Sequence, residues 1–388
     1  MSTLALSDFD YELPPALIAQ QPMLERSKAR LLVLHRGTGK IEHRKFSDLP
    51  EYLEPGDPLV LNDTKVLKAR LFGRKPTGGK VEILLHKKLG DDAWEVLIKP
   101  GGRVREGSEV FLGENGNSLR AKVLDAPRQD SGLRRIQFWC DGDLEKTLDA
   151  IGRVPLPPYI DRPDTDIDRE LYQTVFAKKE GAVASPTAGL HFDPPLLEKI
   201  KARGIETVFI TLHVGYGTFQ PVAEEKIEFH AMHPEAYEVS QEAVLKLNRA
   251  LGEKKKITAC GTTVVRTLET LVSSGQRGIT AEDAPGSARG SEAVPVRGYR
   301  PRAGGGEAQR SSPLTKIRPG CGETALFIYP PYPFKAVDRM ITNFHLPKTT
   351  LLMLASAFAG HELLMKAYRE AVRENYRFYS YGDAMLIL

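Results

Sequence analysis

Two patterns of apolar and polar positions follow one another along the chain. Between Lys65 and Asp149 the pattern is strand and turn with little helix: short apolar runs over 69–72, 81–85, 94–98, 110–112, 119–124 and 135–139. Turn formers separate them, among them Pro76-Thr77-Gly78-Gly79 and Pro100-Gly101-Gly102. Strands this short at this spacing predict a compact all-β barrel or sandwich. The proline-rich run Val154-Pro155-Leu156-Pro157-Pro158-Tyr159 reads as a stiff, extended exit from it.

After Gly181 strands and helices alternate. A short strand is predicted over 181–184, and Asp193 followed by Pro194 starts a helix that stops at Gly204. A β-rich run follows over 205–212, then a helix from Ser240 to Gly252, a strand over 257–260 and a helix over 264–272. Strands over 326–329 and 340–344 and helices over 351–359 and 363–375 complete the reading. Such alternation predicts an α/β domain. Residues 4–62 are expected to join it, so the fold class is α/β, a larger α/β domain (1–64 and 151–388) into which an all-β unit (65–150) is inserted. The segment 275–320 is rich in Gly, Ser, Pro, Ala and Arg, and is expected to be a mobile insertion with no defined job; weak steering of RNA is the lesser reading.

Composition changes this picture little. The 388 residues are 41% hydrophobic and 27% charged, enough for two domains, and the net charge of +4 permits nucleic acid as a partner without demanding it. The cysteines Cys140, Cys260 and Cys321 are far apart with no C-x-x-C spacing, which argues against disulfides and structural zinc. His230 and His233 in His-Ala-Met-His are read as solvated loop residues, and no metal is expected. The apolar run at 351–358 is too short to span a bilayer, and residues 1–11 lack a basic segment leading into an apolar one, so the expected address is the cytoplasm.

Candidate chemistry gathers at four strand-end turns. The first is Asn343-Phe344-His345-Leu346-Pro347-Lys348-Thr349-Thr350, just before an apolar helix, where free backbone N–H groups can hold an anion; the plain alternative is a loop whose Thr349 or Thr350 caps that helix. The second, Ala184-Ser185-Pro186-Thr187-Ala188-Gly189-Leu190-His191-Phe192, has small residues and a histidine. The third, Leu212-His213-Val214-Gly215-Tyr216-Gly217-Thr218-Phe219, ends a buried strand in a histidine and two aromatics able to stack on a base. The fourth, Gly261-Thr262-Thr263, opens a helix carrying Arg266 and Glu269 on one face, with Arg266 a candidate carboxylate or phosphate clamp. Each residue has a structural reading of its own: cap, satisfied core histidine, packing, or an exposed helix pair. Their shared position at strand ends of one domain favours a common site, because parallel strands bring those ends to one rim. No G-x-G-x-x-G or P-loop is present, which disfavours a dinucleotide site and an NTPase.

Taken in order, Phe9-Asp10-Tyr11-Glu12-Leu13-Pro14, Leu61-Asn62-Asp63-Thr64-Lys65-Val66, the four turns and the segments 152–158, 230–238, 327–360 and 379–383 resemble the bacterial tRNA ribosyltransferase-isomerases that use S-adenosylmethionine in queuosine synthesis. The resemblance covers nearly the whole chain. Departures are the long insertion at 275–320, Pro331 in place of a usual Gly, and Thr349 for a common Ser. The resemblance implies an α/β domain of barrel type with an inserted all-β domain. It also implies transfer and isomerisation of the ribosyl moiety of S-adenosylmethionine onto 7-aminomethyl-7-deazaguanine at the tRNA wobble position, with release of adenine and methionine. S-adenosylmethionine is then a consumed substrate, no cofactor is needed, tRNA is the partner, and a monomer is the expected state.

That chemistry calls for a base, because a sulfonium acidifies the neighbouring ribose protons, for an acid at the departing adenine, and for a cation or helix terminus at the methionine carboxylate. His345 first, then His213 and His191, are assigned to proton transfer. Thr187, Tyr216, Phe219, Thr262, Thr263, Arg266 and Glu269 are assigned to substrate binding, and Lys65, Arg70 and Lys348 to the tRNA backbone. Two other classes compete: a pure RNA-binding module, which leaves the four turns unexplained, and a methyltransferase, which lacks its glycine-rich loop here.

Overall fold

The computed structural model describes residues 4–90, 92–113, 119–128, 132–215, 222, 224–273 and 316–388. In chain order the strands begin with β1 (Arg30–Leu34), β2 (Ile41–Lys45), β3 (Pro58–Asn62) and β4 (Thr64–Val66). Six strands follow without a break: β5 (Arg70–Arg74), β6 (Lys80–Lys88), β7 (Ala93–Lys99), β8 (Glu109–Leu112), β9 (Leu119–Val123) and β10 (Arg134–Trp139). Helices α1 (Leu144–Ile151) and α2 (Asp166–Leu171) lead to β11 (Lys179–Ala182), α3 (Pro194–Ala202), β12 (Glu206–Leu212), β13 (Glu235–Val239), α4 (Gln241–Gly252), β14 (Thr258–Cys260) and α5 (Thr262–Ser273). The chain ends with β15 (Gly320–Thr324), β16 (Arg339–Asn343), α6 (Thr350–Ala359), α7 (His361–Arg373) and β17 (Ala384–Ile387).

Strands β5 to β10 close into an antiparallel barrel in the order β10-β7-β6-β5-β8-β9. Burial alternates along β8, β9 and β10; in β9 Leu119, Ala121 and Val123 point inward while Arg120 and Lys122 are exposed. Helix α1, unread in the sequence, plugs this unit. Asp143 caps it by accepting from the N–H groups of Glu145 and Lys146, and Leu144 and Leu148, one turn apart, join the barrel core.

Nine of the remaining strands form a mixed sheet, β15-β13-β12-β3-β14-β16-β17-β1-β2, and β4 and β11 pair in parallel as a separate two-stranded sheet, so the architecture is α/β with an inserted barrel. Hydrogen-bonded closure belongs to the small unit; the two ends of the large sheet, β15 and β2, are not paired with each other. Its middle strands are apolar on both faces because they separate two cores. In β3, Val60 faces one cluster with Leu32, Leu34 and Met340, while Leu59 and Leu61 face a second with Leu31, Val33 and Ile341. Strands β12, β3, β14 and β16 are neighbours and mutually parallel, which puts Leu212, Asn62, Cys260 and Asn343 at one rim.

One sequence expectation is corrected. The run 326–329 is not a strand: Phe327 and Ile328 are core residues in irregular chain, and the strand lies earlier, at β15. The sequence Gly-Cys-Gly-Glu-Thr of β15 carries no β signal, and its pairing with β13 imposes the conformation. The segment 275–320 lies outside the described residues except for 316–320. There Ile317 is buried, and its backbone exchanges hydrogen bonds of 2.9 and 2.8 Å with the Asn248 amide, so this end of the segment is packed into the α/β unit.

Candidate active site

The rim is laced by short polar side chains at the ends of β3 and β12. The Asn62 amide donates to the Leu212 carbonyl at 3.0 Å and accepts from the Leu212 and Thr64 N–H groups at 3.0 and 3.1 Å. Beside it the Thr211 hydroxyl donates to the Asp63 carboxylate at 2.6 Å. These bonds fix the next turn, where the Thr64 hydroxyl lies 2.8 Å from His213 Nδ1. Gly181 supports the same imidazole from β11: at φ +147 it carries no side chain, and a Cβ there would lie 2.8 Å from the ring. Burial lowers the pKa of His213, with Lys179 adding to the effect and Asp63 and Glu238 opposing it.

His345, at the end of β16, is deeper. Its Nε2 is 2.7 Å from the Thr342 hydroxyl, its N–H donates to the Tyr368 hydroxyl at 2.9 Å, and its carbonyl accepts from the Tyr11 hydroxyl. Burial pulls its pKa down to about 3. His191 sits against the Asn343 amide at 3.3 Å and the Phe46 ring at 5.0 Å; burial, helped by the charges of Arg377 and Arg26, brings its pKa to about 3 as well. Both imidazoles are therefore neutral near pH 7, and protonating either is costly. Thr349 takes the plain reading: it is the N-cap of α6, accepting from the Leu352 N–H.

Around α5, Gly261 at φ +92 turns the chain so that Thr262 and Thr263 begin the helix, with Thr263 receiving a 3.4 Å contact from the Asn62 amide. Thr187 starts the short turn that carries Ala188, whose Cβ lies 3.7 Å from where a Gly261 Cβ would stand, so these two turns pack together. Arg266 and Glu269 are neither exposed nor paired with each other. The Arg266 guanidinium is held by the buried Glu235 carboxylate and by the carbonyls of Leu326 and Thr324, which use three of its five N–H groups. Glu269 accepts from the N–H groups of Lys335, Ala336 and Val337, anchoring the approach to β16.

A cavity of about 700 Å³ opens where the barrel meets the α/β unit. The α/β wall presents His213, His230, His233 and Glu180, and the barrel wall presents His86 and Trp94. A second hollow of about 420 Å³ adjoins it, sharing Trp94 and Glu180 and reaching Lys65. Neither His345 nor His191 lines the large cavity; His191 borders a small one with Arg26 and Tyr381. The reading of His230 as a solvated loop residue does not hold: its side chain keeps 15% exposure, and Nδ1 is 3.0 Å from the Glu224 carboxylate. Lys65, Arg70 and Lys348 are already paired, with Glu180 at 2.7 Å, Glu82 at 3.2 Å and Asp10 at 2.7 Å. Partly exposed pairs of this kind are worth little. Tyr216 and Phe219 lie outside the described residues.

Residues 6–387 match the family described as queuosine biosynthesis protein. The chain belongs to that family. A relative from Symbiobacterium thermophilum, the S-adenosylmethionine:tRNA ribosyltransferase-isomerase, is 48% identical over 386 residues, 99% of this chain and 100% of its own. One of the same name from Halothermothrix orenii is 47% identical over the same share of each. Among solved structures, the S-adenosylmethionine tRNA ribosyltransferase of Thermotoga maritima is 38% identical, with a TM-score of 0.50 over 98% of this chain and 100% of its own.

In this queuosine biosynthesis family member, sequence reasoning passed over Asn62, Thr64, Asn343 and the Glu224–His230 pair. The first two stand in the motif Asn62-Asp63-Thr64, whose cluster of short polar side chains after an apolar strand was the available signal. His230 was visible in His-Ala-Met-His but lacked any sign of the carboxylate six positions earlier that would meet it.

Proposed function

We propose that the chain is an S-adenosylmethionine-dependent tRNA ribosyltransferase-isomerase. It transfers and isomerises the ribosyl moiety of S-adenosylmethionine onto the aminomethyl group of 7-aminomethyl-7-deazaguanine at the wobble position, giving epoxyqueuosine-tRNA, adenine and methionine. What supports the reading most is the large cavity at the barrel junction, which brings several imidazoles to one space. Its volume falls in the range of about 300–1,000 Å³ typical of small-molecule sites.

The chemistry follows from the groups present. A sulfonium beside the ribose C5′ acidifies its protons, so a positioned imidazole on the cavity wall suffices as base. His213 is the assigned histidine that reaches this space. His345 and His191, buried and hard to protonate, hold the loops behind it. The first turn of α5, with Thr262 and Thr263, offers backbone N–H groups to the methionine carboxylate, with Thr187 alongside. Tyr216 and Phe219 stack on a base, and Lys65, Arg70 and Lys348 exchange their carboxylate partners for tRNA phosphates. S-adenosylmethionine is consumed, no cofactor takes part, and the enzyme acts on the anticodon stem-loop as a monomer in the cytoplasm. No helix among the described residues is long and apolar enough to cross a membrane.

The test is product analysis with tRNA carrying 7-aminomethyl-7-deazaguanine. Adenine and methionine released in step with tRNA modification are expected. S-adenosylhomocysteine would instead identify a methyltransferase, and tRNA binding without turnover would leave a binding module.

A further inference from the structure

We propose that His213 and His230, on the wall of one cavity, are held in opposite neutral tautomers: His230 is the general base, and His213 is a neutral hydrogen-bond donor. This rests on the ribosyl-transfer reading of the same site and assigns its proton chemistry.

The two rings face different partners through the same atom. Nδ1 of His213 is 2.8 Å from the hydroxyl of Thr64, which is fully buried. Among the described residues that hydroxyl has no second hydrogen-bond partner. Its proton must therefore enter the Nδ1 lone pair, since otherwise a buried donor goes unpaired. With Nδ1 accepting, the ring proton sits on Nε2. Gly181 holds this arrangement by letting the Nδ1–Cε1 edge lie flat against the β11 backbone, where any Cβ would come within 2.8 Å. Nε2 makes no hydrogen bond to a described residue, and the ring lines the cavity. Burial disfavours the cation, so His213 stays neutral and offers an N–H.

Nδ1 of His230 is 3.0 Å from Oε2 of Glu224. A carboxylate only accepts, so here Nδ1 carries the proton and Nε2 keeps its lone pair. The same carboxylate stabilises the imidazolium that forms when Nε2 takes a proton, as the aspartate does in hydrolase triads. The Phe327 ring, edge-on at 5.3 Å, fixes the imidazole plane. His230 also lines the cavity. Paired groups whose surroundings push them to opposite states are a recurring way to separate catalytic roles.

In the reaction His230 Nε2 takes a proton from ribose C5′, and the C–H electron pair stays on the carbon as a sulfonium ylide. Adenine later leaves with the electrons of its bond to ribose. His213 Nε2–H hydrogen-bonds the adenine nitrogen on which that charge gathers, and the proton held by His230 passes to adenine. Thr64, Gly181 and Glu224 are positioning residues, acting through the two rings.

Ring-nitrogen NMR of 15N-histidine-labelled full-length protein, without substrate, reads the tautomers directly. His213 is expected with the proton on Nε2 and His230 with the proton on Nδ1. Thr64→Val should release His213 into a tautomer mixture, and Thr64→Ser should keep the wild-type pattern. In turnover, His230→Gln should lower kcat by about 10²–10⁴-fold with little change in KM for S-adenosylmethionine, and abolish removal of deuterium from S-adenosylmethionine labelled at C5′. His213→Gln keeps an N–H donor and should retain far more activity than His213→Leu. A wild-type His213 protonated on Nδ1, or a His230→Gln enzyme within about threefold of wild type, would overturn the proposal. The tautomers are read on the wild type, so a variant that does not fold leaves that measurement standing. A wild type that releases no adenine from S-adenosylmethionine refutes the ribosyl-transfer reading instead, whatever the tautomers.

Discussion

The barrel and the nine-stranded sheet bury similar side chains by different means. In the barrel, neighbours in sequence are mostly neighbours in space: β5 pairs β6, β6 pairs β7, and β8 pairs β9. Strands β8, β9 and β10 hide one face each, and the core is assembled hairpin by hairpin. In the sheet, β3 lies between β12 and β14, roughly 150 and 200 residues further along the chain, and hides both faces. The polar residues differ accordingly. The sheet's rim holds Asn62, His191, Asn343 and His345 in buried hydrogen bonds, whereas the barrel's one histidine, His86, lies on the shared cavity. Local pairing makes the barrel a support, and long-range pairing gathers distant polar groups where chemistry can use them.

The largest effect expected from this contrast is on stability. Phe344 in the sheet packs against the rings of Tyr368, Tyr376 and Phe378, and Phe138 is fully buried in the barrel. Either change to Ala should cost about 3–5 kcal/mol in denaturant unfolding. Both tryptophans, Trp94 and Trp139, stand on barrel strands, so their fluorescence follows chiefly that unit. Phe344→Ala should shift the far-UV transition more than the tryptophan transition, and Phe138→Ala the reverse; coincident shifts in both variants would mean that the two units unfold as one.

Acid should separate the units next. His345 and His191 have folded pKa values near 3, below the unfolded value of about 6.5, so between these limits only the unfolded chain binds the proton. Their contribution to stability is complete above about pH 6.5 and is lost as the pH falls toward 3. Far-UV signal should fall before tryptophan fluorescence across that window. His345→Gln, which cannot titrate there, should flatten the slope, and an unchanged slope would show that the sheet's acid sensitivity arises elsewhere.

Smaller in stability but large in activity is Gly181→Ala, which drives a methyl group into the His213 ring. A displacement of this order should lower kcat by about a hundredfold, and the positive φ of Gly181 should add a destabilisation of about 1 kcal/mol. Wild-type turnover would detach His213 from catalysis. The smallest stability effect should come from Lys65→Ala and Lys348→Ala. Their pairs with Glu180 and Asp10 are partly exposed, so stability should move by no more than about 0.5 kcal/mol, while tRNA affinity falls and its salt dependence weakens.

Much of the fold was legible in the chain. All six barrel strands were read to within a few residues, because apolar runs bounded by Gly and Pro turns are local signals. The helices beginning after Asp193, Ser240 and Thr349 were legible from their caps and apolar spacing. At the site, the four turns were found, but the division of labour among their histidines was not. His345 and His213 look equivalent in sequence, each at the end of an apolar strand. Folding sinks one beneath Tyr11 and Tyr368 and leaves the other on the cavity wall.

By itself the sequence determined the barrel strands, the caps and the motifs that mark the queuosine biosynthesis family, since each is written in residues close together. Only the tertiary structure decided that Arg266 is spent on Glu235, that Glu224 reaches His230, and that Thr64 and Gly181 grip His213. Those outcomes depend on burial and on partners delivered by other strands. The partner and the surrounding dielectric set the state of an ionisable side chain, and neither is encoded at its own position.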